Sequence, residues 1–90
     1  MTTYIVTFDI KDKARLNKIK NHLRDKKSSI CPIHENAYAI RDTKSPVEIR
    51  DELTPFMTNE DRLFVIRTGT AAAWRNSYGE DNDNWLKKHL

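Results

Sequence analysis

Few side chains in this sequence can do chemistry, and the most conspicuous is an acid. Asp9 stands near the end of TTYIVTFDI, Thr2 to Ile10, an otherwise apolar run. A carboxylate at the end of a buried strand costs folding free energy unless water, a cation or a metal compensates it. Two roles fit Asp9. In one it is a metal ligand or electrostatic centre. A second copy of the chain must then supply a second carboxylate, because magnesium takes mostly oxygen ligands and one acid per chain is a thin site. In the other, Asp9 caps the turn before the next element by accepting backbone N–H bonds.

The other reactive types are sparse. Cys31 and His34, in CPIH, invite comparison with a thiol nucleophile and its base, but no carboxylate is fixed to orient the histidine. Cys31 reads better as a small buried hydrophobe and His34 as a turn residue. His22, His34 and His89 are scattered and make no zinc pattern with one cysteine. Gly69 and Gly79 are the only glycines, which excludes glycine-rich loops that cradle phosphates. Trp74, Arg75, Asn76 and Tyr78 place a guanidinium among aromatic rings, a combination that stacks on bases and grips phosphates or simply anchors a tail.

Charge is the broader signal. The net charge is +3, yet residues 1–45 hold ten Lys or Arg against five Asp or Glu, and residues 46–90 hold six against eight. The excess is concentrated between Lys11 and Lys27. Lys11, Lys13, Arg15, Lys18 and Arg24 are the candidate phosphate contacts, with Arg75 from the tail. A solvated helix face accounts for the same residues equally well.

Ninety residues with 38% hydrophobic and 32% charged side chains suit one domain with one modest core. No run approaches the roughly 18 apolar residues of a membrane span, so no membrane partner is expected. A single cysteine and the lack of a basic-then-apolar leader pattern suggest a cytoplasmic protein.

These residues need elements to position them. Tyr4 to Phe8 alternates as a strand, with Tyr4, Val6 and Phe8 on one face and Ile5, Thr7 and Asp9 on the other. Asp12 is a good N-cap for a helix from Lys13 to about Lys26, which carries Leu16, Ile19 and Leu23 as its apolar stripe. Lys27-Ser28-Ser29 breaks it. Ser29 to Ile33 and Ala37 to Arg41 form a hairpin, and Pro32 marks the first of these strands as an edge or bulged strand. Ser45, Pro46 and Glu48 spell a capped helix start, limited by Pro55 to about ten residues. Arg62 to Thr68 is the last strand. Two split βαβ units then give an α+β, ferredoxin-like βαββαβ sandwich, with a four-stranded antiparallel sheet and two helices on one face. The first and last strands are expected in the middle. Residues 1–68 form this core and 69–90 a C-terminal extension. In it Thr70 to Asn76 forms a helical turn or an extended arm, and Asp81 or Asn82 caps a short helix with Trp85, Leu86 and Leu90. Two tryptophans there must cover something: the sheet, a dimer partner or a ligand.

The element order, the size and the triplet Phe8-Asp9-Ile10 followed at once by a basic helix resemble the Cas-two family of CRISPR-associated proteins and its VapD-like relatives, over about Thr2 to Thr68. The resemblance implies a homodimer with sheets face to face and Asp9 from each subunit near the two-fold axis. In members with nuclease activity such a pair holds Mg2+ or Mn2+, and the metal activates water and stabilises charge at the scissile phosphate. Other members bind DNA or RNA without cleaving it. The polar, tryptophan-bearing tail departs from the family's strand-like segment, so the chain reads as a stand-alone relative. The leading expectation is a nucleic-acid-binding homodimer, with metal-dependent endonuclease chemistry at paired Asp9 residues. The alternative is a non-catalytic interaction or regulatory module that dimerises through its sheet and tail.

Overall fold

The computed structural model describes residues 1–27, 29–69 and 71–90. Its order is β1 (Thr2–Asp9), α1 (Lys13–Lys26), β2 (Ser29–His34), β3 (Ala37–Asp42), α2 (Pro46–Leu53), a 3-10 turn (Thr54–Phe56), β4 (Arg62–Arg67) and α3 (Glu80–His89). The first six regular elements give the βαββαβ order, and the four strands form one antiparallel sheet in the order β2-β3-β1-β4. This is a ferredoxin-like α+β fold.

The helix starts follow local chemistry. The Asp12 side chain accepts the Arg15 N–H at 3.0 Å and opens α1. At α2, Ser45 Oγ accepts the Glu48 N–H at 3.2 Å while the Glu48 carboxylate accepts the Ser45 N–H at 3.0 Å, with Pro46 at the first helical position. Helix α1 ends at Lys26, and the Lys27 N–H caps it on the Leu23 carbonyl. Ser28, expected in the helix break, and Thr70, expected in the tail arm, lie outside the described residues.

The helices cover one face of the sheet. Ile19 and Leu23 of α1 and Ile49 and Leu53 of α2 pack on Tyr4, Val6, Phe8, Tyr38 and Ile40, all buried. The alternation of β1 therefore points as expected. The position of β4 does not. It is an edge strand paired only with β1, and β3 takes the second central place. The split crossover is the reason. The β1-α1-β2 unit leaves a gap that β3 fills, so the last strand docks on the outer side of β1. The nearly continuous apolar character of β4 reflects two apolar faces: Leu63 and Val65 pack against the helical core, whereas Phe64 and Ile66 are exposed at 64% and 52%.

Helix α3 packs on the opposite face, over the β2–β3 half. Leu86 joins Cys31 and Ala39 in a second buried cluster flanked by Ile5, Ile33, Trp85 and Leu90. Trp85 Nε1 donates to Ser29 Oγ at 2.9 Å. The helix begins earlier than the expected Asp81 or Asn82 cap. Gly79, at φ 100°, is the N-cap and supplies no side chain. Asp83 instead accepts the Trp74 indole N–H at 2.8 Å and pairs with Lys87 at 2.9 Å, which holds its carboxyl below the usual range. Trp85 thus ties the extension to β2, and Trp74, though exposed, ties it to itself through its indole N–H.

A buried ion cluster joins the helical layer to the sheet. Lys27 Nζ lies 2.8 Å from both Asp42 Oδ2 and Glu52 Oε1, with only 4% of its side chain exposed. Glu52 also meets Lys44 Nζ at 2.7 Å and His22 Nε2 at 2.6 Å. Burial alone pushes the Glu52 carboxyl up, but the hydrogen bonds from Lys27, Lys44 and His22 outweigh it and pull it to about 2. Because this folded-state value lies below the unfolded one, the stabilisation is complete above the ordinary glutamate range and is lost as pH falls through it towards 2. Allowing for solvent screening, the pH-dependent part is roughly 2 kcal/mol. In acid titrations of thermal stability, Glu52→Gln flattens the decline at low pH. Lys27→Met, which leaves Asp42 without its cation and takes one of two lysines from Glu52, lowers stability at neutral pH by about 3 kcal/mol.

Candidate functional site

Antiparallel register sets which side chains meet on the face away from α1 and α2, since directly opposed residues share a face. Cys31, Ala39, Ile5 and Ile66 form one row across the sheet, and α3 covers its β2–β3 end. The next row is His34, Ala37, Thr7 and Phe64. Beyond it, Asp9 is opposite Arg62.

His34 reaches this row because of a bulge. Strict alternation from Cys31 would send His34 to the helical face. Between Pro32 and His34 the register slips, with Pro32 opposite Tyr38 and His34 opposite Ala37, so Ile33 is an extra residue. A bulge re-aims the side chain that follows it. Pro32, which cannot donate to the ladder, sits at that irregularity on an edge strand.

A cavity of about 350 Å³ results at this end of the sheet, lined by Thr7, Asp9, His34, Asn36, Arg62 and Phe64 with the backbone-adjacent Phe8. The Asn36 N–H donates to His34 Nδ1 at 3.2 Å. That bond places the proton of the neutral ring on Nε2, which is then a donor. Asp9 is exposed at the rim, and its Oδ2 lies 3.0 Å from Lys11 Nζ. Among the described residues, Arg62 has neither an ion-pair nor a hydrogen-bond partner through its side chain.

Asp9 does not cap the turn before α1. Its partner is the Lys11 ammonium, and the backbone donors go elsewhere: Arg15 N–H to Asp12, and Lys11 N–H to Asp61 at 2.9 Å. Nor does one chain assemble a metal site around Asp9. Among the described residues no three His, Cys, Asp or Glu side chains are placed to hold an ion. The donors in the cavity, a guanidinium and a ring N–H, suit an anion rather than a cation. A magnesium or manganese site here needs carboxylates from a second chain.

The basic series is dispersed. Arg15 is engaged by Asp61, whose fully buried carboxylate takes Arg15 Nε at 3.0 Å and its terminal nitrogen at 3.2 Å, together with the N–H groups of Lys11 and Thr58. Those bonds, Arg15 first, hold Asp61 far below the usual carboxylate range. This clamp joins α1 to the loop before β4, so Arg15 is a structural cation. Lys13, Lys18 and Arg24 are exposed. At 3.6 residues per turn, Lys18 lies about 140° around the helix from Lys13, so they do not form one stripe. Arg75 is exposed in the bend after Trp74, which is tied to α3 on the other side of the sheet. Cys31 is fully buried, with its Sγ 3.6 Å from the Pro32 carbonyl and 3.8 Å from that of Asn82. Burial pushes its thiol up, away from the thiolate a nucleophile needs.

Asp9 and Lys11 are therefore brought together at one cavity, and Lys13, Lys18, Arg24 and Arg75 lie apart from it. Arg62 was not among the expected site residues, and His34 entered only as a base beside Cys31 or a turn residue. The signals for them were Pro32 two residues before the histidine and the opening position of Arg62 on the last strand.

Comparison with protein-family models and with curated proteins found no match. Among solved structures, a hypothetical protein from Thermus thermophilus has the same fold at a TM-score of 0.68. It is 17% identical, over 83% of this chain and 90% of that one. At this identity the likeness extends to the fold alone. Among the described residues no helix is long and apolar enough to cross a membrane.

Arg15→Ala removes the guanidinium from a buried carboxylate and lowers the thermal midpoint. Lys18→Ala, at an exposed position, stays within about 0.5 kcal/mol of the parent. Thermal unfolding monitored by tryptophan fluorescence distinguishes the two.

Proposed function

We propose that this chain is a nucleic-acid-binding protein that works as a homodimer, a stand-alone relative of the Cas-two family acting in the cytoplasm. The observation that carries this reading is the half of the sheet face that α3 leaves bare. There Phe64 and Ile66 are exposed in consecutive rows, with Asp9 at the end of the same face. Two large apolar side chains on adjacent rows favour burial against a second surface. A second copy meeting this face about a two-fold axis buries the patch on itself and carries two Asp9 carboxylates towards each other. The basic excess of the first half of the sequence supports a polyanionic partner, DNA or RNA.

Metal-dependent cleavage belongs to this proposal only through the dimer, since among the described residues the donors of one chain do not make a metal site. The extension supports a second reading, a non-catalytic interaction module. Its tryptophans are used to fasten α3 in place, as a scaffold requires.

The test takes purified protein with single- and double-stranded DNA and RNA, with and without Mg2+ or Mn2+, beside Asp9→Asn and Phe64→Glu. The expected results are a dimer by light scattering that Phe64→Glu converts to monomer, and binding that weakens steeply with salt. Metal-dependent cleavage lost in Asp9→Asn assigns the nuclease. Binding without cleavage assigns the binding module, and a monomer that binds no nucleic acid overturns the proposal.

A further inference from the structure

The cavity beside Asp9 holds two donors that the fold leaves unspent. Arg62 opens β4, is exposed, and has no side-chain partner among the described residues. His34, turned onto this face by the Pro32 bulge, has Nδ1 occupied by the Asn36 N–H and therefore offers Nε2–H. Asn36 and Thr7 add an amide and a hydroxyl to the lining. The one acid present, Asp9, already faces the Lys11 ammonium at 3.0 Å, so its charge is offset locally. An imidazole N–H donor, a guanidinium and an acid paired with Lys11 make a recess with net affinity for an anion.

We infer that this cavity is a phosphate subsite for a nucleic-acid backbone, with the Arg62 guanidinium and His34 Nε2–H donating to one phosphate. The inference deepens the nucleic-acid reading and rests on it. It moves the point of contact from the exposed face of α1 to the end of the sheet. Arginine suits this role because its planar fork presents two parallel N–H bonds to phosphate oxygens. Phe64 closes the cavity towards Ile66, so a phosphate held at the Asp9 end leaves the apolar patch available to a second copy. An open recess at a sheet end accepts a single strand more readily than the side of a rigid duplex. A flexible strand can turn its phosphate inward at the Asp9 end without displacing a second copy from Phe64.

The experiment is a titration of isotope-labelled protein with short oligothymidylate or oligouridylate, with a matched duplex, and with inorganic phosphate, followed by NMR. Supporting results are shifts of the His34 ring and Asn36 amide signals on adding the single strand, lost in Arg62→Ala. Binding to that variant falls roughly tenfold, as expected for one charge-assisted contact, and its log–log salt dependence becomes shallower by about one unit. Arg62→Lys restores only part of the affinity. The unchanged remainder of the spectrum reports that the variants are folded. Oligonucleotide binding with shifts confined to the lysines of α1 overturns this inference and leaves the nucleic-acid reading standing. Cavity shifts with inorganic phosphate but none with oligonucleotide overturn the assignment to a nucleic-acid backbone. No binding of any oligonucleotide overturns both.

Discussion

The Lys27 ammonium, enclosed by Asp42 and Glu52, is the interaction on which the helical layer depends. It follows the last turn of α1, contacts the end of β3 through Asp42, and contacts α2 through Glu52. Three segments that share little sequence proximity are thereby indexed to one point. Apolar packing of Ile19, Leu23, Ile49 and Leu53 supplies most of the driving force, but such packing tolerates sliding. A buried cation between two carboxylates tolerates very little, because any displacement leaves a charge without its counterion. His22 and Lys44 complete the shell around Glu52, which accounts for an acid that stays ionised with most of its surface covered.

The two faces of the sheet are treated unequally. One is sealed by α1 and α2. The other is sealed only over β2 and β3, where α3 lays Leu86 against Cys31 and Ala39. The small side chains of Cys31 and Ala39 permit that helix to approach closely. Across the remaining half the chain presents Phe64, Ile66 and the Asp9 cavity. The cavity depends on two backbone details: the bulge that carries His34 to this face, and the register that sets Asp9 against Arg62. The Asp61–Arg15 clamp steadies the loop that delivers Arg62.

Much of the architecture was legible in the residues. Asp12, the Ser45-Pro46-Glu48 box and the period-two run of β1 report local physics, and local physics decides helix starts and strand faces. The order of strands was legible in part. Apolar content marked β1 as central correctly, but β4 is apolar on both faces at an edge, and content alone does not separate a buried face from one left bare. The cluster around Lys27 was not legible, since a lysine after a basic helix looks like one more solvated charge. For the site, Asp9 and Lys11 were identifiable by type and position. His34 and Arg62 were not, because their proximity is a product of register across four strands and of one inserted residue. Arg15 belonged by charge to the basic series and proved by geometry to belong to Asp61.

The docking of α3 has a temporal side. Its contacts reach back to Ser29 and Cys31, more than fifty positions earlier, whereas the helical core closes among elements made well before it. Until α3 docks, the Cys31–Ala39 surface of the assembled sheet is uncovered. The indole–carboxylate tether from Trp74 to Asp83 shortens that interval, since it preforms the bend from which α3 must leave and reduces the chain freedom lost on closure. The contacts of α3 belong to the Cys31–Ala39 cluster, so undocking it uncovers that face and leaves the packing of α1 and α2 on the other in place.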